Sequence, residues 1–145
     1  MEKRGFRKAI FVVVYKVKDK KILYLLLKRK LHWKGWEFVK GGVEKNESPI
    51  KASKREVFEE TGLKPLIVKD HHFYGYYKYK KNLPERPFIG QSFALYSAEV
   101  PDKKVKVDTD EHSIYAWLPF NKAIKKLTWE NQKDCLRRVN NFLIG

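Results

Sequence analysis

A capped helix carrying several carboxylates, between Gly41 and Leu63, constrains this chain more than any other feature. Ser48-Pro49 reads as a helix start: a serine N-cap accepts from an otherwise orphaned backbone N–H, and proline at the first helical position has no N–H to lose. Gly62 supplies the left-handed residue that closes a helix, so the segment is expected to run to about Thr61. On it, Glu56, Glu59 and Glu60 fall at i, i+3 and i+4, which projects three carboxylates from one face. Uncompensated, that clustering is repulsive.

A concentrated set of hard oxygen donors suits Mg²⁺ or Mn²⁺, which keep several waters and bridge to substrate phosphates. Such a cation would offset the repulsion, polarise phosphoryl oxygens and activate water for attack on phosphorus, so no covalent nucleophile is required. Gly41 and Gly42 allow backbone to approach where a Cβ would collide. Glu47 precedes the helix and is placed to pair with Arg55, fixing the loop against the helix through a planar guanidinium. Ile50 and Val57, seven apart, are expected to face a sheet. A charged helix is ordinarily just a solvated face. A solvated face does not require Glu47, the glycine pair and Arg55 in register with the carboxylates.

The pattern Gly41, five residues, Glu47, seven residues, then Arg55-Glu56-Val57-Phe58-Glu59-Glu60-Thr61-Gly62-Leu63 resembles the Nudix box at every specified position. Seven fixed identities arise by chance on the order of once in 10^9 starting positions, about tenfold more often where Glu is abundant. The resemblance implies a Nudix pyrophosphohydrolase with a mixed sheet between helices, an α/β (α+β) fold. It implies Glu47, Arg55, Glu56, Glu59 and Glu60 as the catalytic set, and metal ligation by the Gly41 carbonyl, Glu56, Glu59 and Glu60. Glu111, just before a predicted strand, stands where Nudix enzymes often supply another carboxylate. His112 beside it is a weaker candidate.

Substrate choice lies outside the box. Trp36-Glu37-Phe38-Val39-Lys40-Gly41-Gly42-Val43-Glu44 resembles the W-x-x-P-K-G-x-x-E segment of diadenosine tetraphosphate hydrolases, with Val39 where proline is usual. Tyr79, sixteen positions beyond Leu63, matches the tyrosine those enzymes tend to carry and is a candidate to stack on adenine. The stretch from Glu111 to Leu118 is similar to their C-terminal pattern and to the same region of nucleoside triphosphate and dihydroneopterin triphosphate pyrophosphohydrolases. Lys78 occupies the place of the proline expected in ADP-ribose pyrophosphatases, which counts against ADP-ribose. The resemblance therefore implies asymmetric hydrolysis of diadenosine tetraphosphate to ATP and AMP. The alternatives are a pyrophosphohydrolase of (deoxy)nucleoside triphosphates or of RNA 5′ ends, and a non-catalytic nucleotide or RNA sensor, which the complete glutamate set disfavours. Arg29 and Lys40 are candidate phosphate contacts, Arg29 bidentate and Lys40 as a point charge.

The 145 residues fit one domain, expected to span 1–145 with the box at 41–63. A formal charge of +15, from 32 Lys and Arg against 17 Asp and Glu, draws in polyanions such as nucleotides or RNA, and it equally describes a Lys-rich thermophile surface. No apolar run is long enough for a membrane span, and the charged segment after Met1 does not resemble a signal peptide. The lone Cys135, set among Leu136, Val139 and Phe142, reads as packing in a reducing compartment. A cytoplasmic protein is expected, with no membrane association and no protein partner indicated.

The element order expected from patterning is a hairpin of Ala9–Val17 and Ile22–Lys28 around a polar turn, then a short strand over Trp36–Val39 and the capped helix. Strands follow over Leu66–Lys69, His72–Lys80, Phe88–Val100 and Ile114–Leu118, with Asn82, Pro84, Pro87 and Gly90 marking a connection and a bulge. Helices close the chain over Pro119–Leu127 and Trp129–Leu143. Tyr74, Tyr76, Tyr77 and Tyr79 read as alternating strand residues, and His71-His72 lacks the third ligand a zinc site needs.

Overall fold

Asp19 and Lys20 both adopt positive φ, 51° and 63°, the turn geometry that matches strand twist in a two-residue hairpin. They join β1 (Phe6–Lys18) to β2 (Lys21–Arg29). The computed structural model describes residues 5–30, 35–79, 87–107 and 112–145, and of Ser113 the backbone alone. The turn signals Asn82 and Pro84, the end of the expected strand at Lys80, and Glu111 lie outside the described residues.

β1 and β2 stay paired only from Tyr15↔Tyr24 to Lys18↔Lys21 and then diverge. Into the split come β3 (Gly35–Glu37), which joins β2, and β4 (Val39–Gly42), which joins β1. The expected single strand Trp36–Val39 is therefore two, because the chain crosses at Phe38 from one diverging partner to the other. The glycine pair lies inside β4 rather than beyond a strand end.

After α1 (Pro49–Thr61) come β5 (Ile67–Lys78), β6 (Gly90–Glu99) and β7 (His112–Leu118). The expected strands Leu66–Lys69 and His72–Lys80 are one strand. Its register shifts between Asp70 and Tyr74, with His72 at φ 49°, so the bulge falls in β5 and not at Gly90. β6 runs parallel to β1, from Phe6↔Gly90 to Tyr15↔Glu99, and antiparallel to β5. β7 adds to β2. Among the described residues the sheet has seven strands in the order β3-β2-β1-β6-β5, with β4 on β1 and β7 on β2.

Two buried clusters make the layers. On one face Ile10, Val12, Val14, Tyr96 and Ala98 pack with Ala52 and Val57 of α1. On the other, Phe11, Val13, Phe93 and Leu95 meet Ala123 of α2 (Phe120–Lys126) and Cys135, Leu136 and Val139 of α3 (Glu130–Ile144). Each such buried aliphatic or phenyl side chain contributes roughly 1.5–3 kcal/mol. Phe11 stacks on Phe93 at 4.2 Å, and the Tyr24 hydroxyl donates to Asn140 Oδ1 at 2.7 Å. Burial pushes the Cys135 thiol up to about 12, a packed and unreactive sulfur. The arrangement is a mixed sheet between helices, an α+β fold. Among the described residues no helix is long and apolar enough to cross a membrane.

Candidate active site

α1 begins and ends as its sequence dictates. Ser48 Oγ accepts from Lys51 N at 3.2 Å, Pro49 opens the first turn, and Gly62 at φ 74° donates to the Phe58 carbonyl at 2.8 Å. Val57 is fully buried, but Ile50 is 41% exposed, contrary to its expected place on the sheet. The buried stripe starts at Ala52 and Ser53, past the first turn that carries Ile50.

Arg55 organises the acidic side. Its Nε and Nη2 form a fork on Glu47 at 2.8 and 2.9 Å, and Nη2 also donates to the Gly42 carbonyl at 2.9 Å. Nη1 donates to Glu56 at 2.7 Å and Glu59 at 3.3 Å. The hydrogen bonds from Arg55 and from the Glu44 backbone hold the Glu47 carboxyl down at about 2, and the bonds to Glu47 and Glu56 push Arg55 above its ordinary range. One planar cation thus ties the loop 43–48 to the helix through Glu47, the pairing expected from the sequence, and also to β4 through the Gly42 carbonyl, which was not expected.

The three helix carboxylates differ in exposure. Glu60 is buried at 4%, the Glu56 side chain is 13% exposed and that of Glu59 52%. A Cβ on Gly41 would overlap the Glu56 carboxylate, and one on Gly42 would overlap the Arg7 guanidinium. Glycine at both positions lets these two flexible side chains lie directly against the β4 backbone, and a larger residue would push their charged ends aside. Among the described residues no three or more acidic, cysteine or histidine side chains stand together as a group that could hold a metal ion, so Glu56, Glu59 and Glu60 do not converge as their spacing suggested. An open set of hard oxygens beside a bare backbone nevertheless fits Mg²⁺, which retains several waters and takes few protein ligands.

Glu56 and Gly41 line a cleft of about 220 Å³ together with Arg7, Arg29, Lys40 and Gln91. Arg29 and Lys40, both singled out from the sequence, share one anchor that was not. Glu37, 1% exposed, takes Arg29 Nη1 at 3.3 Å, Lys40 Nζ at 3.2 Å and His112 Nε2 at 2.8 Å. Burial works against its charge, but the His112 hydrogen bond and the two cations outweigh it, and the carboxyl stays below its ordinary range. His112 Nε2 therefore donates, and the histidine, also 1% exposed, belongs to this buried pair.

Arg7 and Gln91 also escaped sequence reasoning, and Tyr77 stood out there only as one of four strand tyrosines. Tyr77 donates its hydroxyl to Gln91 Oε1 at 2.6 Å, an aromatic contact on a residue that lines the cleft. Tyr79, the sequence candidate, follows β5 and meets Tyr77 edge-on at 6.4 Å. Strand alternation placed both on one face. The parallel β1–β6 pairing that brings Arg7 beside Gln91 leaves no local signal. His71 and His72 diverge: His71 Nε2 shares a hydrogen bond with Ser97 Oγ at 2.7 Å, while His72 points to solvent.

This fold, with an arginine-braced carboxylate helix set against a cationic wall, is that of a phosphoanhydride hydrolase. The NUDIX domain model matches residues 5–139, and the chain belongs to the Nudix hydrolase family. An Ap4A hydrolase of C. elegans, solved as a binary complex, superimposes with a TM-score of 0.79 at 25% identity, covering 96% of this chain and 98% of that one. An RNA pyrophosphohydrolase of Nitratiruptor is 26% identical over 136 residues, 89% of this chain and 88% of its own length. An octanoyltransferase of Myxococcus xanthus is 27% identical over 134 residues, and there the chain spans only 36% of the relative's length. Nudix enzymes generally use divalent metal ions, and members of the family bind nucleotides.

Proposed function

We propose that the chain is a single Nudix domain that hydrolyses diadenosine tetraphosphate asymmetrically to ATP and AMP with Mg²⁺, Mn²⁺ serving as substitute. The observation that carries this reading is the cleft itself, where Arg7, Arg29 and Lys40 share a space of about 220 Å³ with Glu56 and the Gly41 backbone. A run of phosphates matches the cationic wall, and the carboxylate side supplies the ligands for a cation between them. The likeness to the C. elegans Ap4A hydrolase over nearly its whole length, together with the Trp36–Gly42 segment, favours a dinucleoside polyphosphate.

The Gly41 carbonyl, Glu56, Glu59, Glu60 and Glu111 are the ligands we assign. A divalent cation held there polarises phosphoryl oxygens and offsets charge developing at phosphorus. Arg55 and Glu47 hold the helix and loop in position, and Arg29 and Lys40 bind the phosphates that are not cleaved. To Tyr79, which meets Tyr77 edge-on at 6.4 Å, we assign stacking on an adenine. The single buried cysteine is consistent with work in the cytoplasm.

A second reading, removal of pyrophosphate from triphosphorylated RNA or nucleoside triphosphates, draws support from the Nitratiruptor relative. Incubation with Mg²⁺ and a panel of diadenosine tetraphosphate, nucleoside triphosphates, ADP-ribose and 5′-triphosphate RNA, with products resolved, separates the two. Equimolar ATP and AMP from the dinucleotide is the expected result. Turnover of RNA or triphosphates with the dinucleotide intact would replace the first reading by the second, and no metal-dependent cleavage of any member would favour a nucleotide sensor.

A further inference from the structure

α1 covers only part of its face of the sheet. Beyond it, where β1 begins, three strands present an open surface in register: Phe6 beside Gly90 beside Lys78, then Lys8 beside Ser92 beside Tyr76, then Ala94 beside Tyr74. Tyr74 is 63% and Tyr76 71% exposed, far more than rings on a sheet that something in the fold covers. Gly90 lets the β5 backbone at Tyr77 and Lys78 and the Phe6 ring all lie close, since a Cβ there would collide with the Tyr77 carbonyl and stand 2.9 Å from Phe6 Cε1, and that ring meets Tyr76 edge-on at 5.4 Å. Phe6, Tyr74, Gly75, Tyr76 and Ser92 line an open apolar groove of about 290 Å³.

Charge decides what fits it. Lys8 and Lys78, both exposed, lie in the same rows as these rings, on a chain of formal charge +15. A second copy docked here would bring lysines of two strongly positive bodies together, which is unfavourable. A duplex hides its base faces in the stack. A single strand offers both flat apolar faces and a phosphate at each step, and Tyr74 and Tyr76, about 6.7 Å apart along β5, leave room for two splayed bases. We propose that the Phe6–Tyr74–Tyr76 face binds single-stranded nucleic acid, bases on the tyrosines and phosphates along Lys8 and Lys78, independently of which phosphoanhydride the cleft hydrolyses.

The test is fluorescence anisotropy with a labelled single-stranded oligoribonucleotide bearing a 5′-hydroxyl, in EDTA, so that no anhydride is present to be cut. The Tyr74→Ala/Tyr76→Ala variant should bind at least about tenfold more weakly, while its turnover of small nucleotides stays at the wild-type level and reports an intact fold. Lys78→Ala should lower the salt dependence of binding by about one phosphate contact. Crosslinking of wild-type protein to 4-thiouridine RNA should map to β5. Undiminished affinity in the tyrosine variant, equal affinity for a duplex of the same length, or crosslinks confined to Arg7, Arg29 and Lys40 would overturn the assignment. So would tyrosine-dependent binding to phosphatidylglycerol vesicles or tyrosine-dependent self-association with RNA binding unchanged.

Discussion

The two walls of the cleft are built as opposites. On the α1 side one cation, Arg55, gathers Glu47, Glu56 and Glu59. On the β3–β4 side one anion, Glu37, gathers Arg29, Lys40 and His112. The centres differ in burial: the Arg55 side chain keeps 23% of its surface in water, and Glu37 keeps 1%. A half-wet guanidinium can release one carboxylate while keeping its fork on another, because water replaces the lost contact. A buried carboxylate has no such substitute, so its three partners are held in one arrangement. In the proposed reaction the acidic wall is the one that exchanges partners when a cation and substrate arrive, and the basic wall is pre-set.

Removing a carboxylate from the exchanging wall should have the largest effect. Glu56→Gln is expected to lower turnover by about two to three orders of magnitude, comparable to losing one transition-state contact. Stability in urea should stay level or fall slightly, by at most about 1 kcal/mol, because the charge-assisted bond from Arg55 Nη1 is weakened while repulsion among the carboxylates is relieved. Wild-type turnover would break the assignment of Glu56 to the reacting side.

Breaking the pre-set wall should show in binding instead. Glu37→Gln keeps the shape but removes the charge that aligns Arg29 and Lys40, so KM is expected to rise about tenfold while kcat changes little, with about 1–3 kcal/mol lost in stability. A fall in kcat at constant KM would mean that Glu37 serves the reacting centre and that the two walls are not distinct in role.

The smallest effect is a pH dependence at the brace. The Glu47 carboxyl is held at about 2 against an ordinary 4.5, so its stabilisation is complete above 4.5 and fades as pH falls towards 2. Urea midpoints of wild type and Glu47→Gln, compared from pH 6 to 2.5, should therefore differ most at the upper end and converge at the lower. A gap independent of pH would mean that the fork on Arg55 contributes through packing alone.

The contrast between the walls also explains what could be read in advance. The acidic wall is one helix and its caps, and Ser48, Pro49, Arg55, the glutamates and Gly62 lie close enough in sequence for spacing to dictate geometry. The basic wall is assembled from β1, β2, β3, β4, β6 and β7. Arg29 and Lys40 stood out only because they carry charge near the box. Glu37 looked like one more residue of a short strand, and nothing local says that His112 reaches it from the far side of β2. The division at Phe38 and the exposure of Ile50 escaped for the same reason, since each depends on where a distant strand ends. Nor did the sequence separate Tyr77 from Tyr79, because alternation assigns a face and not a neighbour.

The parallel pairing of β1 with β6 has a consequence for how the molecule comes into being. Phe6 meets Gly90, so β1 must wait for a strand made much later before its second edge is satisfied. A ribosome releases the α1 helix and its carboxylates well before that partner exists. The emerging chain therefore spends its synthesis with an apolar strand edge unpaired, which makes folding slow and aggregation the main competitor. The lysines that crowd this sequence then act earliest of all, keeping unfinished chains apart by mutual repulsion until β6 arrives.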